Sequence, residues 1–195
     1  MFNIDLSSAR LTKLRATLRN SPPVKFSARR RQDIDVLFLL GTNEQTRLIK
    51  PQIEFHHAHD LAVYSLKSNY TGVPDLVADL DLEGVIFADI PWMLNHGLGG
   101  QGLKERVPKK KSRHGTVLDR FYALGIDSYG LMQNIHLMRK NNNLAYQGAT
   151  GTLRLGDNSR IRRQLEWFQI RKAQPVHLRL ATSPKPPQLK LNYKD

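Results

Sequence analysis

Three short apolar runs constrain the fold of this chain more than any other feature of its sequence. They lie at Asp35–Gly41, Leu61–Ser65 and Gly84–Asp89. Runs that are apolar at successive positions are typical of parallel strands buried on both faces. A helix beginning at Thr42 separates the first two runs, and we expect it to kink or restart at Pro51, which lacks a backbone donor. This order predicts a right-handed βαβ unit and therefore an α/β fold with a doubly wound parallel sheet.

Helical and strand periodicities predict the other elements. An amphipathic helix is expected over Leu6–Leu18 and a short one over Asp75–Leu80. The longest helix is expected from Thr116 to about Arg139, with one apolar face buried in the core, and that face comprises Leu118, Phe121, Tyr122, Gly125, Tyr129 and Met132. A period of two then predicts a C-terminal antiparallel hairpin or meander, with strands at Thr152–Leu155, Ile161–Ile170 and Val176–Leu180.

Two segments lack the apolar residues needed to pack. Residues 96–115 are rich in glycine and basic side chains and are predicted to be a flexible basic loop. Residues 183–195 begin with a proline-rich stretch and are predicted to be a flexible basic tail. The remaining chain, residues 1–182, is expected to form a single domain.

Charge and composition narrow the classes of function. The 195 residues carry a formal net charge of +13, which favours anionic partners such as nucleic acid, an acidic protein face or the cell-envelope surface. The charge is scattered, so we do not expect nucleic-acid binding. The chain has no cysteine, which excludes disulfides and thiolate chemistry. The sequence as given shows no export signal and no apolar run long enough to span a membrane.

Sequence motifs for metal binding, phosphate binding or nucleophilic catalysis are weak in this chain. His56, His57 and His59 could suggest a metal site, but no acidic or cysteine partner completes a ligand set. The glycine-rich stretch Gly97–Gly102 is not followed by a helix, as a phosphate-binding loop requires. No nucleophile elbow is present. The sequence therefore predicts no catalytic residues, no metal and no cofactor, and a protein that is not an enzyme.

Several longer motifs, in a fixed order, resemble the LpoA/LppC family. They are Arg29–Leu39, Arg47–Pro51, Asp60–Tyr64, Asp89–Trp92, Phe121–Tyr129, Gly148–Leu153, Arg160–Leu165 and Trp167. The resemblance covers most of residues 1–180 and corresponds to the latter part of the family's C-terminal domain. It implies a partial fold similar to type I periplasmic substrate-binding proteins. Missing sheet neighbours should then leave an exposed strand edge around Val36–Leu40 that promotes self-association.

The resemblance also implies a function. Family members are lipoproteins of the outer membrane that reach into the periplasm and activate the class A penicillin-binding protein 1A in peptidoglycan synthesis. The family's signal peptide and lipid-anchoring cysteine have no counterpart in this sequence. We therefore expect a non-catalytic regulator that stimulates the transpeptidase of its partner.

Residue-level expectations are few. Ligands of such folds lie between two lobes near strand ends, which makes Tyr70, Asp89 and Trp92 candidates for a cleft, with packing as their alternative role. Arg160 and Arg162 are candidates for a partner surface. Two other functions stay open at this point, a receptor for an amino-acid-type solute and a basic nucleic-acid-binding domain with salt-sensitive affinity.

Overall fold

The computed structural model describes residues 4–18, 33–94 and 117–178. The helices are α1 (Ile4–Thr17), α2 (Asn43–Phe55) and α3 (Val117–Lys140), and two short 3-10 helices span Lys67–Asn69 and Ala78–Leu82. The strands are β1 (Val36–Leu39), β2 (Ala62–Ser65), β3 (Ile86–Asp89), β4 (Ala145–Gly148), β5 (Gly151–Leu155), β6 (Ile161–Gln164), β7 (Glu166–Arg171) and β8 (Gln174–His177). The predicted loop 96–115 and tail 183–195 lie outside the described residues.

The larger sheet has five strands in the order β1-β2-β3-β7-β8. The first three are parallel, which confirms the prediction from the apolar runs. β7 then pairs antiparallel with β3, and β8 with β7, so the C-terminal strands extend the parallel sheet. Phe87 on β3 lies between Tyr70 and Phe168, with ring centroids 5.6 and 6.2 Å away, at the centre of this sheet's core.

Helix α2 connects β1 to β2 and begins with a reciprocal cap. Thr42 Oγ1 accepts from Gln45 N at 3.4 Å, and Thr42 N donates to Gln45 Oε1 at 3.0 Å. The helix continues through Pro51 without interruption, so it does not restart there as the sequence suggested. Beyond the proline, His56 N donates to Gln52 O at 3.1 Å, which is the spacing of an α-helical hydrogen bond.

The smaller sheet contains three antiparallel strands, β4-β5-β6, and packs against α3. The hairpin of β5 and β6 confirms one part of the sequence prediction. The predicted single strand from Ile161 to Ile170 divides at Leu165, however, and its two halves belong to different sheets. Strand β4 was not predicted, because its four residues, two of them alanine and glycine, carry little strand signal.

The predicted orientation of α3 is wrong. The helix exists with nearly the expected bounds, but Phe121, Tyr129 and Met132 are exposed. The face that packs on β4 and β5 instead carries mostly small or polar residues, and its buried members are Asp119, Ala123, Asp127, Gly130 and Met138. A larger side chain does not fit at Gly130, where a Cβ would lie 2.0 Å from Tyr146 Oη, whereas Met138 packs with Tyr146 in the apolar cluster of the smaller sheet. The sequence rule that the most apolar face is the buried one fails for this helix.

The edge of the five-stranded sheet that is formed by β1 is exposed, as the sequence predicts. β1 is the terminal strand of the five-stranded sheet, and Phe38 and Leu40 are 71% and 75% exposed. This confirms the predicted exposed edge, while the self-association expected from it stays a prediction. The leucines of α1 are also largely exposed, so the apolar side of that helix is not buried in a core.

Candidate functional site between the two sheets

An apolar cluster joins the two sheets where the chain passes between them. The first crossing begins at Ile90, directly after β3, and the second is Leu165, between β6 and β7. The cluster comprises Ile90, Trp92, Met93, Ala123 and Ala149, with Leu94, Ile126 and Leu165 packed against it. Trp92 N also donates to Ala149 O at 3.1 Å. The carboxyl ends of the parallel strands open near this junction, where ligands of α/β sheets commonly lie.

Asp89 is the first charged group of the junction and is fully buried at the end of β3. Arg120 on α3 contacts both carboxylate oxygens, with Nη2 donating to Oδ2 at 2.8 Å. Ile90 N donates to Oδ1 at 2.7 Å. A buried carboxylate is stable only when it is paired and hydrogen-bonded in this way. Asp89 therefore fastens α3 to the end of β3.

The other two predicted cleft residues are also buried. Tyr70 packs on Phe87, and Trp92 lies inside the apolar cluster at the junction. Burial raises the pKa of Tyr70 to about 12, and the negative charges of Asp79 and Asp89 add to this effect. The structure thus places all three candidates in packing positions, and a role for any of them in contacting a ligand stays a prediction.

A second buried carboxylate, Asp127 on α3, holds the turn between β4 and β5. It accepts from Ala149 N at 2.6 Å, from Thr150 N at 2.7 Å and from Thr150 Oγ1. Burial raises the pKa of Asp127 above its ordinary value, against these hydrogen bonds, which lower it. A Cβ at Gly148 would lie 2.5 Å from the carboxylate, so only glycine fits beside it. This contact fixes the smaller sheet against α3.

Sequence reasoning missed this contact, although a signal for it existed. Asp127 lies in the middle of a helix, where an aspartate is unfavourable unless it has a specific partner. The segment Gly148–Gly151 could have been interpreted as that partner, because its two glycines favour a tight turn in which the N–H groups of Ala149 and Thr150 can bind a carboxylate. Gly151 has φ of +127° and lies against Gln164 O, so it also requires glycine.

An open groove of about 820 Å³ lies beside the N-terminus of α2, lined by Thr42, Asn43, Glu44, Arg47, Ser68, Thr71, Val73, Pro74, Asp75 and Leu76. Its buried polar side chains bond mainly to one another. Asp79 accepts from Arg47 Nη2 at 2.7 Å and from Asp75 N at 2.9 Å, and Asn43 Nδ2 donates to Asn69 O at 2.7 Å. This network fastens the loop after β2 onto α2, and no pattern in the sequence predicted it.

The predicted partner-surface residues lie on the hairpin of the smaller sheet. Arg162 is exposed on the terminal strand β6, where its Cα is paired with that of Arg154. Arg160 is exposed in the turn before β6, and its carbonyl oxygen accepts from Gly156 N at 2.8 Å. We call Arg154, Arg160 and Arg162 the basic hairpin surface. Binding of a partner there stays a prediction.

Within residues 4–18, 33–94 and 117–178, no three histidine or acidic side chains are grouped so as to hold a metal ion. None of the described helices is both long and apolar enough to cross a bilayer.

Comparison with protein families gives one match over most of the chain. Residues 1–173 match the family described as LppC putative lipoprotein. A penicillin-binding protein activator LpoA from Edwardsiella ictaluri is 30% identical over 145 residues, which cover 73% of this chain and 21% of that protein. The homologous activator from Vibrio vulnificus is 28% identical over 169 residues, covering 86% and 27%. The chain thus spans about a fifth to a quarter of these relatives.

Solved structures agree on the fold. The C-domain of LpoA (YraM) from Haemophilus influenzae, a regulator of PBP1A, has a TM-score of 0.59 at 17% identity, with 86% of this chain and 49% of that chain covered. Full-length LpoA from the same organism has a TM-score of 0.61 at 17% identity, with 88% and 33% covered. The predicted α/β fold and the family resemblance are confirmed, and the chain belongs to the LppC family of lipoproteins.

Proposed function

We propose that this protein is a non-catalytic regulator of peptidoglycan synthesis that binds a class A penicillin-binding protein and stimulates its transpeptidase. The observation that carries the proposal is the match to LpoA, whose members are named penicillin-binding protein activators, over 73% to 86% of the chain. We place its action in the periplasm at the outer membrane, in line with the lipoprotein description of the family.

The chemistry of the junction supports a role without catalysis. A general base or nucleophile needs a carboxylate or hydroxyl that can reach a substrate. Asp89 and Asp127, two carboxylates beside the junction, are fully or almost fully buried and bind groups of the chain itself. Burial raises the pKa of Tyr70 to about 12, so its hydroxyl is harder to ionise than that of an exposed tyrosine. These groups maintain the arrangement of the sheets.

The partner contact that we propose is the basic hairpin surface. Arg154, Arg160 and Arg162 are presented on a hairpin whose position relative to α3 is fixed by Asp127. Exposed charges at the rim of an interface mainly accelerate encounter with an oppositely charged partner and affect dissociation little. An acidic surface on the penicillin-binding protein would complement this hairpin.

The test measures cross-link yield from lipid-linked precursor by a class A penicillin-binding protein, with and without this protein. We expect a higher yield with the protein, and no turnover when it is incubated with the precursor alone. An unchanged yield at saturating concentration of correctly folded protein would remove the proposed function.

A second measurement tests the surface. The double variant Arg160→Ala/Arg162→Ala should slow association with the penicillin-binding protein, and the difference should shrink as salt screens the charges over about 10 Å. Arg139→Ala/Lys140→Ala, which removes the same charge from the exposed end of α3, is the matched control and should associate at the original rate. Equal slowing by both pairs would indicate a general charge effect and contradict the assigned surface.

A further inference from the structure

We infer that the exposed apolar side of α3 is a docking surface for the part of an LppC-family C-terminal domain that this chain does not span. That part can be carried on the same polypeptide or on a separate one. We call the surface the outer stripe and define it as Leu118, Phe121, Gly125, Tyr129 and Met132. The inference rests on the family's fold and not on the proposed activation of a penicillin-binding protein.

The outer stripe is continuous along one side of the helix. Its residues recur at three- and four-residue spacing and extend over about 21 Å at 1.5 Å per residue. Leu118, Phe121, Tyr129 and Met132 are 57%, 63%, 62% and 69% exposed. The opposite side of α3 is occupied by the smaller sheet. A helix that is packed on one side and apolar on the other is expected in the interior of a domain, with a second layer above it.

Two glycines of α3 differ in what requires them. One is required by packing within the chain, and the other lies where an external partner would pack. Gly130 faces the smaller sheet, where a Cβ would lie 2.0 Å from Tyr146 Oη, so close packing within the chain requires it. Gly125 is central in the outer stripe, and a Cβ there would meet no described residue within 4 Å. Glycine inside a helix costs about 1 kcal/mol relative to alanine. No contact within residues 4–18, 33–94 and 117–178 offsets that cost, whereas close approach of another backbone would.

The size of the related domain identifies the occupant. The Haemophilus influenzae C-domain has the same fold as this chain, and the match covers only 49% of it. An amount of polypeptide similar to this chain therefore remains to be packed in that fold. The exposed edge at β1, with Phe38 and Leu40 outside the core, is a second place where a sheet of this type continues. One occupant, the remaining part of the domain, accounts for both surfaces.

The outer stripe also differs from the surface proposed for the penicillin-binding protein. It contains no charged side chain, whereas the basic hairpin surface consists of arginines. Transient partners commonly use polar, charged rims, while layers within a domain bury contiguous apolar area. The chemistry of the stripe thus favours a permanent layer of the same domain.

The binding experiment uses the full 195-residue chain and, as a tagged probe expressed in the same cells, the C-domain of LpoA (YraM) from Haemophilus influenzae without the segment that matches this chain. We expect the probe to capture the chain, and hydrogen exchange of α3 to slow in the complex. Full-length activator from the same organism is the control, since its own segment already fills the position, and it should not capture the chain. No capture by the probe, or equal capture by the control, would overturn the inference.

Variants assign the contact to the stripe. Phe121→Ser/Met132→Ser should reduce capture by about tenfold or more, as expected when central apolar contacts are lost. Leu76→Ser/Val77→Ser, which removes two apolar side chains exposed elsewhere, should leave capture nearly unchanged. Equal losses with both pairs would contradict the assignment, and circular dichroism confirms that each variant is folded.

Gly125→Ala provides a readout that a merely structural role would not give. The variant should raise the melting temperature of the chain alone, because alanine favours the helix, and yet lower its capture by the probe. Unchanged capture would overturn the close approach that we infer. If the chain instead forms dimers that Phe121→Ser/Met132→Ser disrupts and the probe does not displace, the occupant is a second copy and the inference is wrong.

Discussion

The two sheets of this protein are stabilised in different ways. The five-stranded sheet is held by apolar side chains, with Phe87 between Tyr70 and Phe168 at its centre. The three-stranded sheet has a smaller apolar cluster around Met138 and is fixed to α3 by the carboxylate of Asp127.

The difference shows why the sequence predicts one region better than the other. Apolar burial is non-directional and leaves a pattern of consecutive large residues in the sequence. A buried carboxylate with several donors depends on three-dimensional positions, and it leaves only single polar or small residues at scattered places. The same contrast predicts how the losses of stability caused by mutation rank, with the apolar centre of the five-stranded sheet first and the polar contact of the smaller sheet second.

The largest effect is expected at the centre of the five-stranded sheet. Phe87→Ala removes a fully buried ring and leaves a cavity, which typically costs about 3–5 kcal/mol. We expect denaturant unfolding to shift strongly or the variant to be unfolded at 25 °C. Phe38→Ala on the exposed edge is the control and should change stability by less than about 0.5 kcal/mol. Similar losses at both positions would show that the edge is buried in solution.

A somewhat smaller effect is expected at the polar contact of the other sheet. Asp127→Ala leaves the backbone donors of Ala149 and Thr150 without their acceptor, and we expect a loss of about 1–3 kcal/mol. Hydrogen exchange should accelerate first at the turn between β4 and β5 and in β5, before the five-stranded sheet is affected. Uniform acceleration across both sheets would contradict the separate stabilisation of the two regions.

Thr150→Val sharpens this test, since it removes only the hydroxyl donor and retains both backbone contacts to Asp127. We expect a loss of about 1 kcal/mol, clearly below that of Asp127→Ala. A loss as large as that of Asp127→Ala would assign the stabilisation to the hydroxyl alone.

Sequence reasoning succeeded where burial alone decides structure. The strands at Val36–Leu39, Ala62–Ser65 and Ile86–Asp89, and the bounds of α3, follow from runs and periods of apolar residues. It failed where a second layer of packing or a polar contact determines which side of an element is buried. Phe121 was expected in the core because the helix is most apolar on that side, yet the chain packs the side with Ala123 and Asp127.

The candidate site shows the same limit. Tyr70, Asp89 and Trp92 were selected because they follow predicted strands, and the structure does place Asp89 and Trp92 at the junction. Their burial could not be predicted, because it depends on Arg120 and on the turn at Ala149, which are distant in the sequence. Position along a strand indicates the end of the sheet at which a residue lies but not whether it faces solvent.

At neutral pH the smallest effect is expected from the ionisation of Tyr70, which lies in the apolar region but is also influenced by nearby carboxylates. Its pKa is about 12 in the folded protein and about 10 in an exposed tyrosine, so the unfolded chain loses this proton first as pH rises. Stability should therefore be unaffected by this group well below pH 10 and should fall between pH 10 and 12, by at most about 3 kcal/mol for a shift of two pKa units. Tyr70→Phe keeps the ring on Phe87 and removes the ionisable group. Urea unfolding at several pH values, together with tyrosinate absorbance, should show a decline in this window that is smaller in Tyr70→Phe. An identical decline in both proteins would mean that other groups produce it and that the hydroxyl of Tyr70 is accessible to water.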